Sequence, residues 1–104
     1  MKNDILVWHA CKDGRPAESG RYFVTERCRS FIELDVIDYS SRWDAWNLHD
    51  EYEGGEELPN YTKRYMPGGD SEVIAWADVV PYGTGIKKWK PGIYDIVPEG
   101  ENHV

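Results

Sequence analysis

The stretch Ser30-Phe31-Ile32-Glu33-Leu34-Asp35-Val36-Ile37-Asp38-Tyr39 decides the fold class. Ile32, Leu34 and Val36 alternate with Glu33 and Asp35. Successive side chains of a strand point to opposite faces, so this is a strand with one apolar and one wet side. The alternation then slips: Ile37 and Tyr39 fall on the other parity, around Asp38. A β-bulge near Val36-Ile37 is expected to return both sets to the core. Just upstream, Arg21-Tyr22-Phe23-Val24-Thr25-Glu26 is rich in aromatic and β-branched residues and predicts a second strand. Cys28-Arg29 then forms the tight turn of a hairpin.

Ile5 to Trp8 is a short apolar run that predicts a first strand. Residues 10–20 carry Asp13-Gly14, Pro16 and Ser19-Gly20 and predict a loop. Ser41 to Leu48 reads two ways. Trp46 and Leu48 suit a strand, the preferred reading; Trp43 and Trp46 three apart, with Ser41 and Asp44 as a capping box, suit a helical turn. Residues 50–71 show no apolar periodicity and hold Gly54-Gly55, Pro59 and Pro67-Gly68-Gly69, the signature of a long loop. Glu72 to Val80 has apolar residues on both parities, which predicts a central strand covered on both sides, with Trp76 in the core. A further strand is expected at Ile93–Val97, followed by a tail; residues 84–104 form a partly ordered extension. The chain of 104 residues fits one domain. The expected fold is mainly β: a single small antiparallel sheet or partly open barrel, with a short helical turn as the alternative at 41–48.

Composition narrows the function. The net charge is −7, and residues 44–72 hold eight acidic groups against only Lys63 and Arg64. That segment would repel a phosphate backbone, which weighs against nucleic acid as a partner. Lys87-Lys88-Trp89-Lys90 mixes cations with an aromatic, but three lysines in an acidic chain also suit a strand edge protected by charge. No apolar run approaches the ~20 residues that span a bilayer, and Met1 to Trp8 lacks the pattern of a signal peptide. The expected location is the cytoplasm, where Cys11 and Cys28 stay reduced.

His9, Cys11, Cys28 and His49 form a Cys2His2 inventory, but the later spacings of 16 and 20 intervening residues match no zinc pattern. The thiols are therefore expected to be free, with no metal and no cofactor. Gly83-Thr84-Gly85 lacks the third glycine and helix of a nucleotide fingerprint. No Gly-x-Ser-x-Gly elbow is present, and no catalytic set is assigned. Two surfaces remain. Asp50, Glu51, Glu53, Glu56 and Glu57 form an acidic surface suited to a basic protein partner. Trp43, Trp46, Tyr52, Tyr61 and Tyr65 are the aromatics of a groove for a small ligand or carbohydrate.

One resemblance bears on these readings. Trp8 and Pro16 are eight residues apart, Gly20, Tyr22 and Val24 follow, and Trp76 with Pro81 closes the unit. Over residues ~5–81 this resembles a family of small phage- and mobile-element-associated domains of unknown function. That family commonly has His before the closing Trp and Met-Pro after it, where this chain has Ala75, Ala77 and Asp78. The resemblance implies a phage or prophage accessory protein and transfers no activity. The leading expectation is a non-enzymatic protein acting through protein–protein contacts; the alternative is a ligand-binding β module.

Overall fold

A computed structural model describes residues 6–80 and 86–96. The strands are β1 (His9–Ala10), β2 (Gly20–Cys28), β3 (Phe31–Ser40), β4 (Ala45–Trp46), β5 (Ser71–Asp78), β6 (Ile86–Lys90) and β7 (Ile93–Ile96). A 3-10 turn covers Cys11–Asp13, and one short helix, α1, covers Asn60–Lys63. Strands β1 to β5 form one antiparallel sheet in the order β1-β5-β2-β3-β4, which does not close, and β6 and β7 form a separate hairpin. The fold is mainly β. Among the described residues, no helix is long and apolar enough to cross a membrane.

Strand β2 is central. It pairs with β3 without a break from Gly20↔Tyr39 to Cys28↔Phe31, and with β5 from Tyr22↔Asp78 to Cys28↔Ser71. The β2–β3 loop is Arg29-Ser30, one residue later than the sequence suggested. Arg29 takes a φ of +50°, the backbone twist that two-residue hairpins favour.

The unbroken β2–β3 register excludes the bulge expected at Val36-Ile37. Tyr22 lies opposite Ile37, so Ile37 and Tyr39 share a face with Tyr22 and Val24. These residues, with Trp46 and Val73, make up the core. Ile32, Leu34 and Val36 point the other way and are exposed, Leu34 at 70%. Parity in a strand is strict, so a straight β3 can bury only one of its two apolar sets. A bulge does occur, but in the β2–β5 pairing, between Thr25 and Glu26. It lets Val73 and Trp76, three residues apart, face Glu26 and Val24 on one side. This accounts for apolar residues on both parities of β5.

Four other expectations change. Leu6 to Trp8 is exposed and unpaired, and only His9 and Ala10 reach β5, opposite Trp76 and Ala75. Among the described residues β5 therefore has only this two-residue strand outside it, and Trp76 is half-buried rather than a core residue. Its ring stacks on His9 at 4.3 Å and its Nε1 donates to the Gly14 carbonyl at 2.9 Å. Residues 41–44 form a turn, and only Ala45 and Trp46 pair with β3. The segment 50–71 is not a structureless loop. It contains α1, buries Thr62 completely, and returns along β5 through Ser71 N to Arg64 O and Val73 N to Tyr65 O.

The β6–β7 hairpin meets the start of β2. Arg21 N donates to Pro91 O at 2.7 Å and Tyr94 Oη to Val79 O at 2.9 Å. A side chain on Gly20 would strike Pro91, and one on Gly92, whose φ is +73°, would strike the Arg21 backbone. The hairpin falls within the extension expected at 84–104. The remainder of that extension lies outside the described residues, as does Pro81.

The two faces of β3 give a direct test. Ile37→Ala should destabilise the fold by about 2–4 kcal/mol in urea melts, as a buried aliphatic truncation does. Leu34→Ala should stay within about 0.5 kcal/mol, as an exposed change does. Equal losses would mean that β3 is bulged after all.

Candidate functional site

The core face of the sheet is covered by the segment from 41 to 70, and that cover is incomplete. A cavity of about 560 Å³ remains between the 3-10 turn, β4, the Tyr65–Pro67 turn and β5. Trp46, Val73 and Tyr65 supply apolar surface, with Cys11, Met66 and Ile74 around them. Trp46 is positioned by its pairing with Tyr39 and by ring contacts to Tyr39 at 4.8 Å and Tyr22 at 6.2 Å. Asp44 and Asn47, both with positive φ, bracket this two-residue strand and turn the chain sharply on either side.

Charged groups sit at the rim. Arg15 grips Asp44 through two nitrogens, with Nη2 to Oδ2 at 2.6 Å, and Tyr39 Oη donates to the same carboxylate. The Arg15 hydrogen bond holds the Asp44 carboxyl below its ordinary value, with the Tyr39 hydroxyl adding to the effect. Burial, then the Asp44 bond, pushes the Tyr39 hydroxyl up. Arg27 pairs with Glu72 at 3.2 Å elsewhere on the rim, and Lys12 lines the cavity without an ion pair among the described residues. Burial pushes the Cys11 thiol up to about 11. At neutral pH it is a protonated, apolar wall rather than a nucleophile.

The five aromatics expected to share one groove are divided. Trp46 and Tyr65 line the cavity. Trp43 and Tyr52 pack edge to face at 5.6 Å, with Arg42 over the Trp43 ring at 5.2 Å. Tyr61 is exposed on α1, which turns it away from the core that takes Thr62. Helical geometry separates neighbours that a continuous groove would have aligned.

The five acids also have different roles. Asp50 Oδ1 accepts from Ser19 Oγ at 2.7 Å and Ser40 Oγ at 2.5 Å, tying the loop before β2 to the end of β3. These bonds, Ser40 first, hold its carboxyl below its ordinary value. Glu57 pairs with Lys63 at 2.5 Å, across the start of α1. Glu51, Glu53 and Glu56 are exposed and make no ion pair among the described residues. Glu57 is also exposed, so four of the five acids lie on the surface, and Asp50 is the half-buried one.

The Cys2His2 inventory does not assemble. His9 stacks on Trp76, Cys11 lines the cavity, and Cys28 ends β2. His49 contacts Asp38, whose partner Arg21 is the second residue of β2. Seven residues of strand at ~3.3 Å each separate that end from Cys28.

A group that the sequence did not single out is Glu26. It is 2% exposed and lies opposite Glu33 on β3 and Val73 on β5. Its Oε2 is buried without a hydrogen-bond partner among the described residues. Burial pushes its carboxyl up to about 7, and the neighbouring Asp35 and Glu33 add to the effect against the opposing pull of Arg64. The only available signal was its place in the Tyr22, Val24, Glu26, Cys28 series, an acid on an otherwise inward parity.

No protein-family model, no curated protein and no solved structure matches this chain. The site must be read from its own chemistry.

Glu26 makes stability depend on pH. The folded state keeps its proton up to about pH 7, whereas the unfolded chain loses it near 4.5. Between these values the folded state binds more protons, so stability should fall as pH rises. The expected loss is about 3 kcal/mol in chelator-dialysed protein, at 1.36 kcal/mol per unit. Glu26→Gln should remove this slope and be more stable than wild type at pH 8. A slope unchanged in the variant would assign it to another group.

Proposed function

We propose that this chain is a non-catalytic binding module whose site is the cavity floored by Trp46. One observation carries the reading: about 560 Å³ lies open over the sheet, within the range of small-molecule sites. The lining is mainly apolar, with charge confined to the rim. Lys12, Arg15 and Arg27 face only Asp44 and Glu72 there, an excess of one positive charge in a protein of net −7. Such a site suits a compact apolar or aromatic molecule carrying one negative group. The apolar part would lie against Trp46, Tyr65 and Met66, and its charge would reach Lys12. The protonated Cys11 thiol supports binding rather than catalysis.

Small aromatic carboxylates, screened by NMR against isotope-labelled protein, should shift resonances of Cys11, Tyr65 and Val73 together. Met66→Trp, which fills the rim, should abolish those shifts. Lys12→Gln should weaken the carboxylates while leaving their neutral amides unchanged. Shifts scattered over the surface, or unaffected by Met66→Trp, would refute the cavity as a site.

A second reading, protein–protein contact, has its own observation. From Phe31 to Ile37 the outer edge of β3 is unpaired among the described residues, since β4 meets only Tyr39 and Ser40. Ile32, Leu34 and Val36 are exposed along it, between Glu33 and Asp35. An open edge takes another strand. A second copy paired about Leu34 would set Glu33 against Asp35, a repulsive cross-strand pair. A basic, β-branched segment fits better. On this reading the contact surface is β3 rather than the acidic segment. A phage or prophage setting is proposed on the resemblance of residues ~5–81 alone.

An extended peptide of alternating valine and lysine should shift the β3 amides from Ile32 to Val36. The effect should fade between 0.1 and 1 M salt, as the Debye length falls from ~10 to ~3 Å. Shifts confined to the cavity, or insensitive to salt, would eliminate this reading.

A further inference from the structure

The far end of β2 brings together three metal-ligating side chains. Glu26 and Cys28 are two residues apart on β2, so they project from the same face. Glu33 is the direct cross-strand partner of Glu26. One ligand atom from each lies within 4.8 Å of the others. The Cys28 Sγ stands 4.0 Å from Glu26 Oε1 and 3.9 Å from Glu33 Oε1.

An opposed pair of carboxylates is ordinarily repulsive. Here one of the two is removed from water, and its second oxygen has no partner among the described residues. A buried acceptor left without a donor costs about 1–3 kcal/mol, more if charged. Asp35 and Glu33 beside Glu26 are acidic and raise its carboxyl further, and Arg64, which opposes them, donates its Nη2 to Ser71 Oγ at 3.2 Å. A cation between the carboxylates would offset that cost.

We propose that Glu26, Cys28 and Glu33 form a binding site for a thiolate-preferring divalent cation, with zinc as the fitting ion. The geometry is close to what zinc requires. Bonds of about 2.3 Å to sulfur and 2.0 Å to oxygen in a tetrahedron place S and O ~3.5 Å apart. The two S–O separations then close by ~0.4–0.5 Å, and the two carboxylate oxygens, now within 4.8 Å of each other, close to ~3.3 Å. Binding would displace the Cys28 thiol proton, and the Glu26 proton where it is held, to solvent. A cavity of about 260 Å³, lined by Cys28, Glu33, Arg64 and Ser71, opens beside the cluster. It provides an entry path and leaves a fourth coordination position for water. The site does not depend on the ligand proposed for the Trp46 cavity.

The expectation of free thiols and no metal rests on the missing Cys-x2–4-Cys and His-x3–5-His spacings. A site of two carboxylates and one thiolate on a hairpin has no such spacing. Its ligands are joined by cross-strand register.

The test uses the full chain after chelator treatment. Calorimetric titration with Zn²⁺ should give one ion per chain. Co²⁺ should give a thiolate-to-metal charge-transfer band in the near ultraviolet. Cys28→Ser should lose that band, and Cys11→Ser should keep it. Glu33→Gln, an exposed change that leaves the core intact, should weaken zinc binding by at least about tenfold, since loss of even a ligand's supporting partner costs 10–100-fold. Absence of one-to-one zinc uptake would overturn the proposal. So would zinc affinity unchanged in Glu33→Gln, or a cobalt band lost in Cys11→Ser instead. If Cys28→Ser does not fold, Glu33→Gln and Cys11→Ser still decide.

Discussion

Strand β2 is hydrogen-bonded along both edges, and the rest of the structure depends on that. β3 lies on one side and β5 on the other, so the inward parity of β2 sets which side chains of both neighbours face the core. Tyr22 and Val24 fix that parity. Each strand then has one free choice, and β3 and β5 resolve it differently. β3 stays regular and leaves Ile32, Leu34 and Val36 in water. β5 inserts a bulge and so brings both Val73 and Trp76 to the core side. One exposes an apolar row and the other gives up regular pairing; both are consequences of joining the same central strand.

An open sheet of this size buries only one face well, and the cover comes from the segment 41–70. That segment has little regular structure, so it is held by specific bonds rather than by helix or strand repetition. Asp50 ties it to Ser19 and Ser40, Thr62 Oγ1 donates to Asn47 O at 3.0 Å, and Arg64 and Tyr65 accept from β5 backbone amides. These anchors lie at intervals, and the cavity lies between them. Polar anchoring of an irregular cover is thus the reason a site exists over an apolar floor. Acids that look like a surface in the sequence include one of the main anchors.

The same central strand explains the tension at its far end. Continuing inward parity from Tyr22 and Val24 places Glu26 where a methyl-bearing side chain would be expected. Its cross-strand partner is also acidic, and a thiol follows at the next inward position. A hydrophobic side chain there would be cheaper in free energy, so the arrangement is informative about chemistry rather than stability. It lies at the hairpin end, where a small cavity gives access.

Much of the architecture was legible in the chain. Arg21 to Glu26 and Ser30 to Tyr39 are a hairpin because their β-branched and aromatic content admits little else, and Glu72 to Val80 is a strand for the same reason. The mainly β class, a single antiparallel main sheet and a strand near Ile93 follow from local pattern. What local pattern could not decide was face. Ile32, Leu34 and Val36 are as apolar as Ile37 and Tyr39, and only pairing with Tyr22 and Val24 selects between them. Nor could it decide which aromatics meet: Trp46 and Tyr65 are 19 positions apart yet line one cavity, whereas Trp43 and Trp46 point to different packing. The Glu26, Cys28 and Glu33 cluster was invisible for the same reason. Composition and periodicity are properties of one strand at a time, whereas register between strands, which brings these atoms together, exists only once the chain has folded.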